Sequence, residues 1–111
     1  MLTTFHRHSW AWELDRFSRR NAGRRAVLEI DEIDLGAQRL ADFPLWGLLY
    51  EAPSEEVEIL FGDFTSEGSH LSHAVEDVRE ITLLTGADGR DEVLRIATPG
   101  GQALLHLPRE A

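Results

Sequence analysis

The histidines are the residues of this chain whose type and spacing could do chemistry. His70 and His73 stand three positions apart, a separation that directs two imidazoles at one metal ion on a helix or in a tight turn. Glu67, Glu76 or Asp77 could complete a nitrogen and oxygen site for zinc or a similar ion. On a strand, however, the two histidines would face opposite sides and could not share an ion. The pair is therefore a candidate metal site that depends on the local structure.

A group of arginines near the N-terminus is the second candidate, an interaction surface. Arginine close to tryptophan is suited to phosphate groups, to nucleic acid or to an acidic protein surface. The alternative is that these arginines pair with acidic side chains of the same chain or of a second copy, where exposed pairs contribute little stability. The candidate surface consists of Trp12, Arg16, Arg19, Arg20, Arg24 and Arg25.

The net charge is divided unevenly along the chain. Residues 1–25 carry six arginines against two acidic residues, a net +4, and residues 26–111 carry five arginines against eighteen acidic residues, a net −13. The total is the formal −9. The acidic part would repel a phosphate backbone at long range, which makes nucleic acid the weaker prediction for a partner. Every basic residue is arginine, which is typical of a GC-rich and therefore bacterial genome.

Other kinds of site find no support. The loop from Asp63 matches the first positions of a calcium-binding EF-hand loop, but Ala74 stands where a bidentate glutamate is required. The serines lack the Gly-x-Ser-x-Gly pattern of a nucleophile elbow, and no glycine-rich phosphate loop is present. The sequence thus predicts no catalytic residue and no cofactor.

The expected compartment is the cytoplasm. The chain contains no cysteine, which excludes disulfides and thiolate metal sites and favours a reducing environment. Residues 1–8 lack the apolar region of a signal peptide, and the longest uncharged apolar run, residues 43–50, is too short to cross a bilayer. Membrane association is therefore not expected.

A single amphipathic helix is predicted over residues 9–21. Trp10, Leu14 and Phe17 recur at helical spacing and form one apolar side. Gly23 follows the last polar turn and is a typical stop signal. This helix would carry most of the candidate arginines on its polar side.

Two runs in the middle of the chain predict a central hairpin. Residues 45–50 are apolar on both faces if extended, with Leu45 and Leu49 on one face and Trp46 on the other, and such strands are usually covered on both sides. Residues 56–61 alternate between apolar and polar, as in a half-buried partner strand. We expect the helix to cover one face and the later strands to cover the other.

Short strands are predicted for most of the remaining chain. The expected fold is α+β: one N-terminal amphipathic helix followed by six to seven mostly antiparallel strands, which form a strongly bent sheet or small barrel within a single domain, residues 1–111. The helix would cover an open edge or end of the sheet. The further predicted strands are residues 26–31, an irregular 33–40 before a break at 42–44, 69–75 (favoured over a helix), 81–84, 93–97 and 102–107.

Four short motifs are spread over most of the chain. They are Trp10 with Phe17-Ser18-Arg19-Arg20, then Leu35-Gly36-Ala37-Gln38, Pro44-Leu45-Trp46-Gly47, and His70-Leu71-Ser72-His73. Together they resemble a family of small bacterial proteins known only as a domain of unknown function. The resemblance implies a bacterial single-domain protein, and it assigns no activity.

Three functions are compatible with these features. The leading hypothesis is a non-enzymatic protein-interaction or self-associating module, in which the basic helix of one copy meets the acidic sheet of another. The first alternative is a metal-binding protein or metal-dependent enzyme that uses His70 and His73. The second alternative is a nucleic-acid binder that uses the arginines from Arg16 to Arg25.

Overall fold

A computed structural model of the chain describes residues 1–62 and 70–109. In that part of the chain, eight strands form one antiparallel sheet in the order β1-β6-β7-β8-β2-β3-β4-β5, and the sheet is not closed into a barrel. The elements are β1 (Leu2–Thr4), a 3₁₀ helix (Arg7–Ser9), α1 (Trp10–Asn21), β2 (Arg25–Glu32), β3 (Gly36–Glu51), β4 (Glu56–Phe61), β5 (Leu71–Val75), β6 (Glu80–Thr85), β7 (Asp91–Thr98) and β8 (Gly101–His106).

The predicted α+β class and antiparallel pairing are confirmed, but the count and order of elements are not. The described residues form eight strands rather than six to seven, and β1 precedes the helix. β1 has only three residues, all exposed, so it lacks the alternating burial that marks a strand in sequence. It forms because it pairs with β6, a strand distant in sequence, where Leu2 lies opposite Leu84.

The long strand β3 runs through the break that was predicted at residues 42–44. Its first half pairs with β2 as far as Pro44, and its second half pairs with β4 from Leu45 onward. Pro44 therefore lies where β3 changes partners, and its lack of an N–H group interrupts neither ladder. The C=O of Pro44 accepts a hydrogen bond from the N–H of Gly62 at 3.0 Å.

A bulge at Trp46 changes which side chains of β3 are buried. The pairing shifts between Leu45 and Gly47, so Leu45 and Leu48 enter the core while Trp46 is 44% exposed and Leu49 is 55% exposed. The prediction that both faces of this strand are covered was wrong: the extra residue of the bulge places Leu45 and Leu48 together on the core face, and Trp46 and Leu49 are on the uncovered face. One face packs in the core and the other is open to solvent.

Helix α1 covers the free edge of the second half of β3. Trp10, Leu14 and Phe17 are buried, as predicted, and the Ser18 Oγ accepts a hydrogen bond from the N–H of Leu48 at 2.8 Å. The turn after the helix continues this contact through two further backbone hydrogen bonds, Gly23 N–H to the Leu45 carbonyl and Leu45 N–H to the Arg24 carbonyl, both 2.8 Å. The helix and its turn thus supply the partners that a neighbouring strand would otherwise provide.

The remaining segments agree with the extended interpretation. Residues 71–75 form β5 rather than a helix, and residues 91–106 form the predicted terminal hairpin. The loop from Asp63, considered for calcium, lies outside the described residues. No helix in the described ranges has the length and apolarity that crossing a membrane requires.

Candidate functional site

The two candidate metal ligands, His70 and His73, contact different parts of the structure. His70 precedes strand β5, and its ring stacks on Trp46 with 4.6 Å between centroids. His73 pairs across the sheet with Ile59, a fully buried residue, and therefore points to the inner side. Within residues 1–62 and 70–109, no group of three or more histidine or acidic side chains could hold a metal ion. Glu67 lies outside the described residues, and the structure does not bring His70 and His73 together.

His73 instead lines a cleft on the inner side of the sheet. Two adjoining hollows of about 160 and 200 Å³ lie between β5 and the strands β2, β3 and β8. Both hollows share Ile30, Glu32 and His73 in their walls, so they form one continuous depression. This depression, termed the β5 cleft, is defined by Ile30, Glu32, Gln38, Leu40, His73 and Glu76.

The β5 cleft combines apolar walls with uncompensated acidic groups. No arginine lines either hollow, and the side chains of Glu32, His73 and Glu76 make no hydrogen bond or ion pair with any other described residue. Gln102, at one end of the cleft, is held in place because its Nε2 donates to Asp31 at 3.4 Å and its Oε1 accepts from an arginine of β7. The cleft therefore favours a cationic or hydrogen-bonding group.

One wall of the cleft is the outer edge of the sheet. β5 stands last in the strand order, and within the described residues it pairs with β4 alone. The opposite edge of β5 borders the cleft, where its N–H and C=O groups can pair with another extended chain. An open strand edge thus lies directly beside a cleft that is lined by three consecutive residues of the same strand, His73, Ala74 and Val75.

The residues of the predicted interaction surface differ in their contacts. Arg16 lies over the ring of Trp12 at 4.6 Å from its centroid, and Trp12 is 59% exposed. Neither Trp12 nor Arg16 lines the β5 cleft. Three others make ion pairs within the chain: Arg19 with Asp15 at 3.2 Å, Arg20 with Asp91 at 3.0 Å, and Arg25 with Asp42 at 2.7 Å.

Arg20 and Arg24 contribute to a buried network at the C-terminal end of α1. The carboxylate of Asp91, which is 6% exposed, accepts hydrogen bonds from Arg20 Nε at 3.0 Å and from Asn21 Nδ2 at 2.7 Å. Arg24 donates to Asn21 Oδ1 at 2.9 Å and to the carbonyls of Asp91 and Leu107 at 3.0 and 3.2 Å. These hydrogen bonds connect the C-terminal end of α1 to Asp91, the first residue of β7.

Comparison with known proteins gives a family but no activity. Residues 1–110 match a family of unknown function, DUF5335. The chain belongs to this family. No curated protein and no solved structure matches it. Membership in DUF5335 confirms the resemblance predicted from the sequence motifs, and it assigns neither a reaction nor a partner.

Sequence reasoning did not find most of the cleft residues of this DUF5335 protein. Glu32, Gln38 and Leu40 occupy an irregular stretch whose side chains could not be assigned to a face, because the register shifts between β2 and β3 after Leu28. Only the proximity of His73 to several acidic residues in the sequence drew attention to this part of the chain. The pairing of distant strands, rather than any local motif, assembles the cleft.

Proposed function

We propose that this DUF5335 protein is a non-enzymatic protein-interaction module that binds an extended, basic segment of a partner protein in the β5 cleft. The observation that supports this most directly is the open edge of β5 beside an acidic cleft. A segment that pairs with this edge would join the sheet as an additional strand, with main-chain hydrogen bonds providing affinity.

Side chains lining the cleft set the chemistry of the proposed segment. In an extended chain, alternate side chains point the same way, so every second residue of the segment would enter the cleft. Ile30 and Leu40 suit an apolar side chain, whereas Glu32 and Glu76 suit an arginine or lysine. The net −13 of residues 26–111 would also attract a basic segment at long range.

The partner in this proposal is another protein rather than a second copy. The hypothesis of self-association required a basic helix whose charges are available to the acidic sheet of a second copy. Arg19, Arg20 and Arg25 instead pair with acidic residues of their own chain. Metal binding through His70 and His73 and nucleic-acid binding through the N-terminal arginines have no comparable geometric support. The cysteine-free, lysine-free composition supports the bacterial cytoplasm as the proposed location.

A peptide-display selection tests the proposal. Random peptides selected on the purified protein should be enriched for arginine or lysine two positions from an apolar residue, because both would enter the cleft from one side of a strand. A synthetic consensus peptide is then titrated by calorimetry against wild type, Leu40→Ala and Leu49→Ala. These exposed leucines belong to the same strand, at 45% and 55% exposure, and only Leu40 lines the cleft.

The two variants are expected to differ. Leu40→Ala should weaken binding about tenfold, the loss expected for one partly buried contact, and Leu49→Ala should leave affinity unchanged. Amide hydrogen exchange should slow in β5 on binding and remain unchanged in β1, the other end of the sheet. Failure to enrich basic peptides, or equal effects of the two substitutions, would overturn the proposal.

A further inference from the structure

A second cleft lies at the C-terminal end of α1, on a different part of the surface from the β5 cleft. It has a volume of about 330 Å³. We propose that it binds the phosphate group of a small phosphate monoester. This depression, termed the arginine cleft, is lined by Arg20, Asn21, Arg24, Gly89, Arg90 and Asp91.

The charge of the arginine cleft favours an anion. Three guanidinium groups line it, and Asp91 is the only acidic residue among the described residues of its lining. The Oδ2 atom of Asp91 already accepts hydrogen bonds from Arg20 and Asn21, so one carboxylate compensates one of three positive charges. The cleft is therefore a local cationic site on a protein of net charge −9.

Arg24 is held in place without being neutralised. Its hydrogen bonds go to uncharged acceptors, Asn21 Oδ1 and the carbonyls of Asp91 and Leu107. A guanidinium group has five N–H donors, so Arg24 keeps donors for a ligand. Because its position is already fixed, little side-chain freedom is lost on binding an anion.

Arg20 and Arg90 provide further donors. Arg20 uses its Nε for Asp91, and its side chain is 44% exposed, while its two terminal nitrogens make no hydrogen bond with the described residues. The side chain of Arg90 is exposed and makes no hydrogen bond or ion pair with the described residues. Apart from Asp91, the acidic residues nearest to Arg90 in sequence are Asp88 and Glu92, which pair with Arg109 at 2.9 and 3.6 Å.

The fork geometry of guanidinium selects the ligand class. Two parallel N–H groups match two oxygens of a phosphate, and a dianionic phosphate gains more from three cations than a singly charged carboxylate does. The volume of the cleft suits a phosphate and a small attached group rather than a large ligand.

An NMR titration of the intact protein tests this inference. Inorganic phosphate, glycerol phosphate and acetate are each added at constant ionic strength, with chloride as the reference. Phosphate and glycerol phosphate should shift the amide signals of Gly89 and Arg90 saturably, and acetate should bind more weakly. Arg90→Gln should lower phosphate affinity about tenfold, as expected for one charge-assisted hydrogen bond.

The matched control is Arg39→Gln, which removes an exposed arginine of β3 outside the arginine cleft and should leave phosphate affinity unchanged. Both positions are exposed, so thermal unfolding midpoints should match wild type and exclude a folding defect. The inference is overturned if no saturable shift occurs, or if the two variants lose affinity equally. It is also overturned if a DNA duplex binds at these amides while inorganic phosphate does not.

Discussion

At the scale of single residues, the ion pair of Arg25 with Asp42 shows how a neighbour changes the pKa of a carboxylate. Arg25 donates from Nε and Nη2 to the two carboxylate oxygens of Asp42 at 2.8 and 2.7 Å. These hydrogen bonds hold the pKa of Asp42 below its ordinary value of 3.8. The pKa of Asp88 is also lowered, chiefly because the backbone N–H of Arg90 donates to its carboxylate. Two surface carboxylates thus have lowered pKa values for different reasons.

We predict that Arg25→Gln returns the pKa of Asp42 toward 3.8 and leaves that of Asp88 lowered. A carboxylate with a lowered pKa stabilises the fold fully above its unfolded pKa, and this contribution is lost as the pH falls through the folded pKa. Carboxyl carbon NMR from pH 2 to pH 6 follows both groups in the variant. An unchanged Asp42 midpoint, or a parallel shift of Asp88, would contradict the assigned cause.

The histidine pair shows what a residue pattern alone can and cannot predict. Spacing limited His70 and His73 to two arrangements, one that could share an ion and one that could not. The choice between them depends on whether the chain is extended, which the pairing of β5 with β4 decides. Likewise, no local signal indicated that Asp91 would meet Asn21, because 70 positions separate them in the chain.

At the scale of elements, α1 acts as the edge partner of β3. Ser18 is the residue that makes this possible, since its hydroxyl donates to the Leu14 carbonyl at 2.7 Å and accepts from the Leu48 N–H at 2.8 Å. The helix packs directly against β3 here, because even a Cβ atom at Gly47 would lie in van der Waals contact, 3.5 Å, with the Ser18 side chain. The helix therefore contributes polar contacts to the sheet in addition to its apolar side.

We predict that Ser18→Ala lowers the free energy of unfolding by about 1–2 kcal/mol. The substitution leaves the Leu48 N–H without its acceptor beneath the helix, which costs about 1–3 kcal/mol, and the higher helix propensity of alanine offsets about 0.5 kcal/mol. Urea unfolding measures the difference. Ser72→Ala, at an exposed position of β5, is the control and should change stability by less than about 0.5 kcal/mol. If both variants lost the same free energy of unfolding, the hydrogen bond from the Leu48 N–H to the Ser18 hydroxyl would not stabilise the fold.

Elements that form through interactions between residues close in sequence were predicted, and elements that depend on residues far apart in sequence were missed. The helix and the terminal hairpin were predicted because their periodicity and turns are local in sequence. β1 and the continuity of β3 were missed because each depends on a partner strand, and the exposure of Trp46 was missed because a bulge cannot be read from alternation. The β5 cleft depends on the same distant pairings.

At the scale of the whole molecule, the uneven charge is largely compensated within the chain. The N-terminal part carries a net +4, yet four of its six arginines, Arg7, Arg19, Arg20 and Arg25, pair with acids of their own chain. Three of these acids, Asp42, Glu55 and Asp91, belong to the acidic remainder of the chain. Much of the N-terminal positive charge is therefore paired within the chain, which disfavours a basic helix that meets the acidic sheet of a second copy.

We predict that the protein is monomeric at tens of micromolar in both low and high salt. At an ionic strength of about 0.01 M the screening length is about 30 Å, so copies with a net charge of −9 repel one another most strongly there. Sedimentation equilibrium at about 0.01 M and about 1 M salt measures the mass. A dimer seen only at low salt would restore the basic-helix-on-acidic-sheet arrangement. A dimer that persists at high salt would instead implicate the exposed apolar residues Trp46 and Leu49, because burial of apolar surface is not screened by salt.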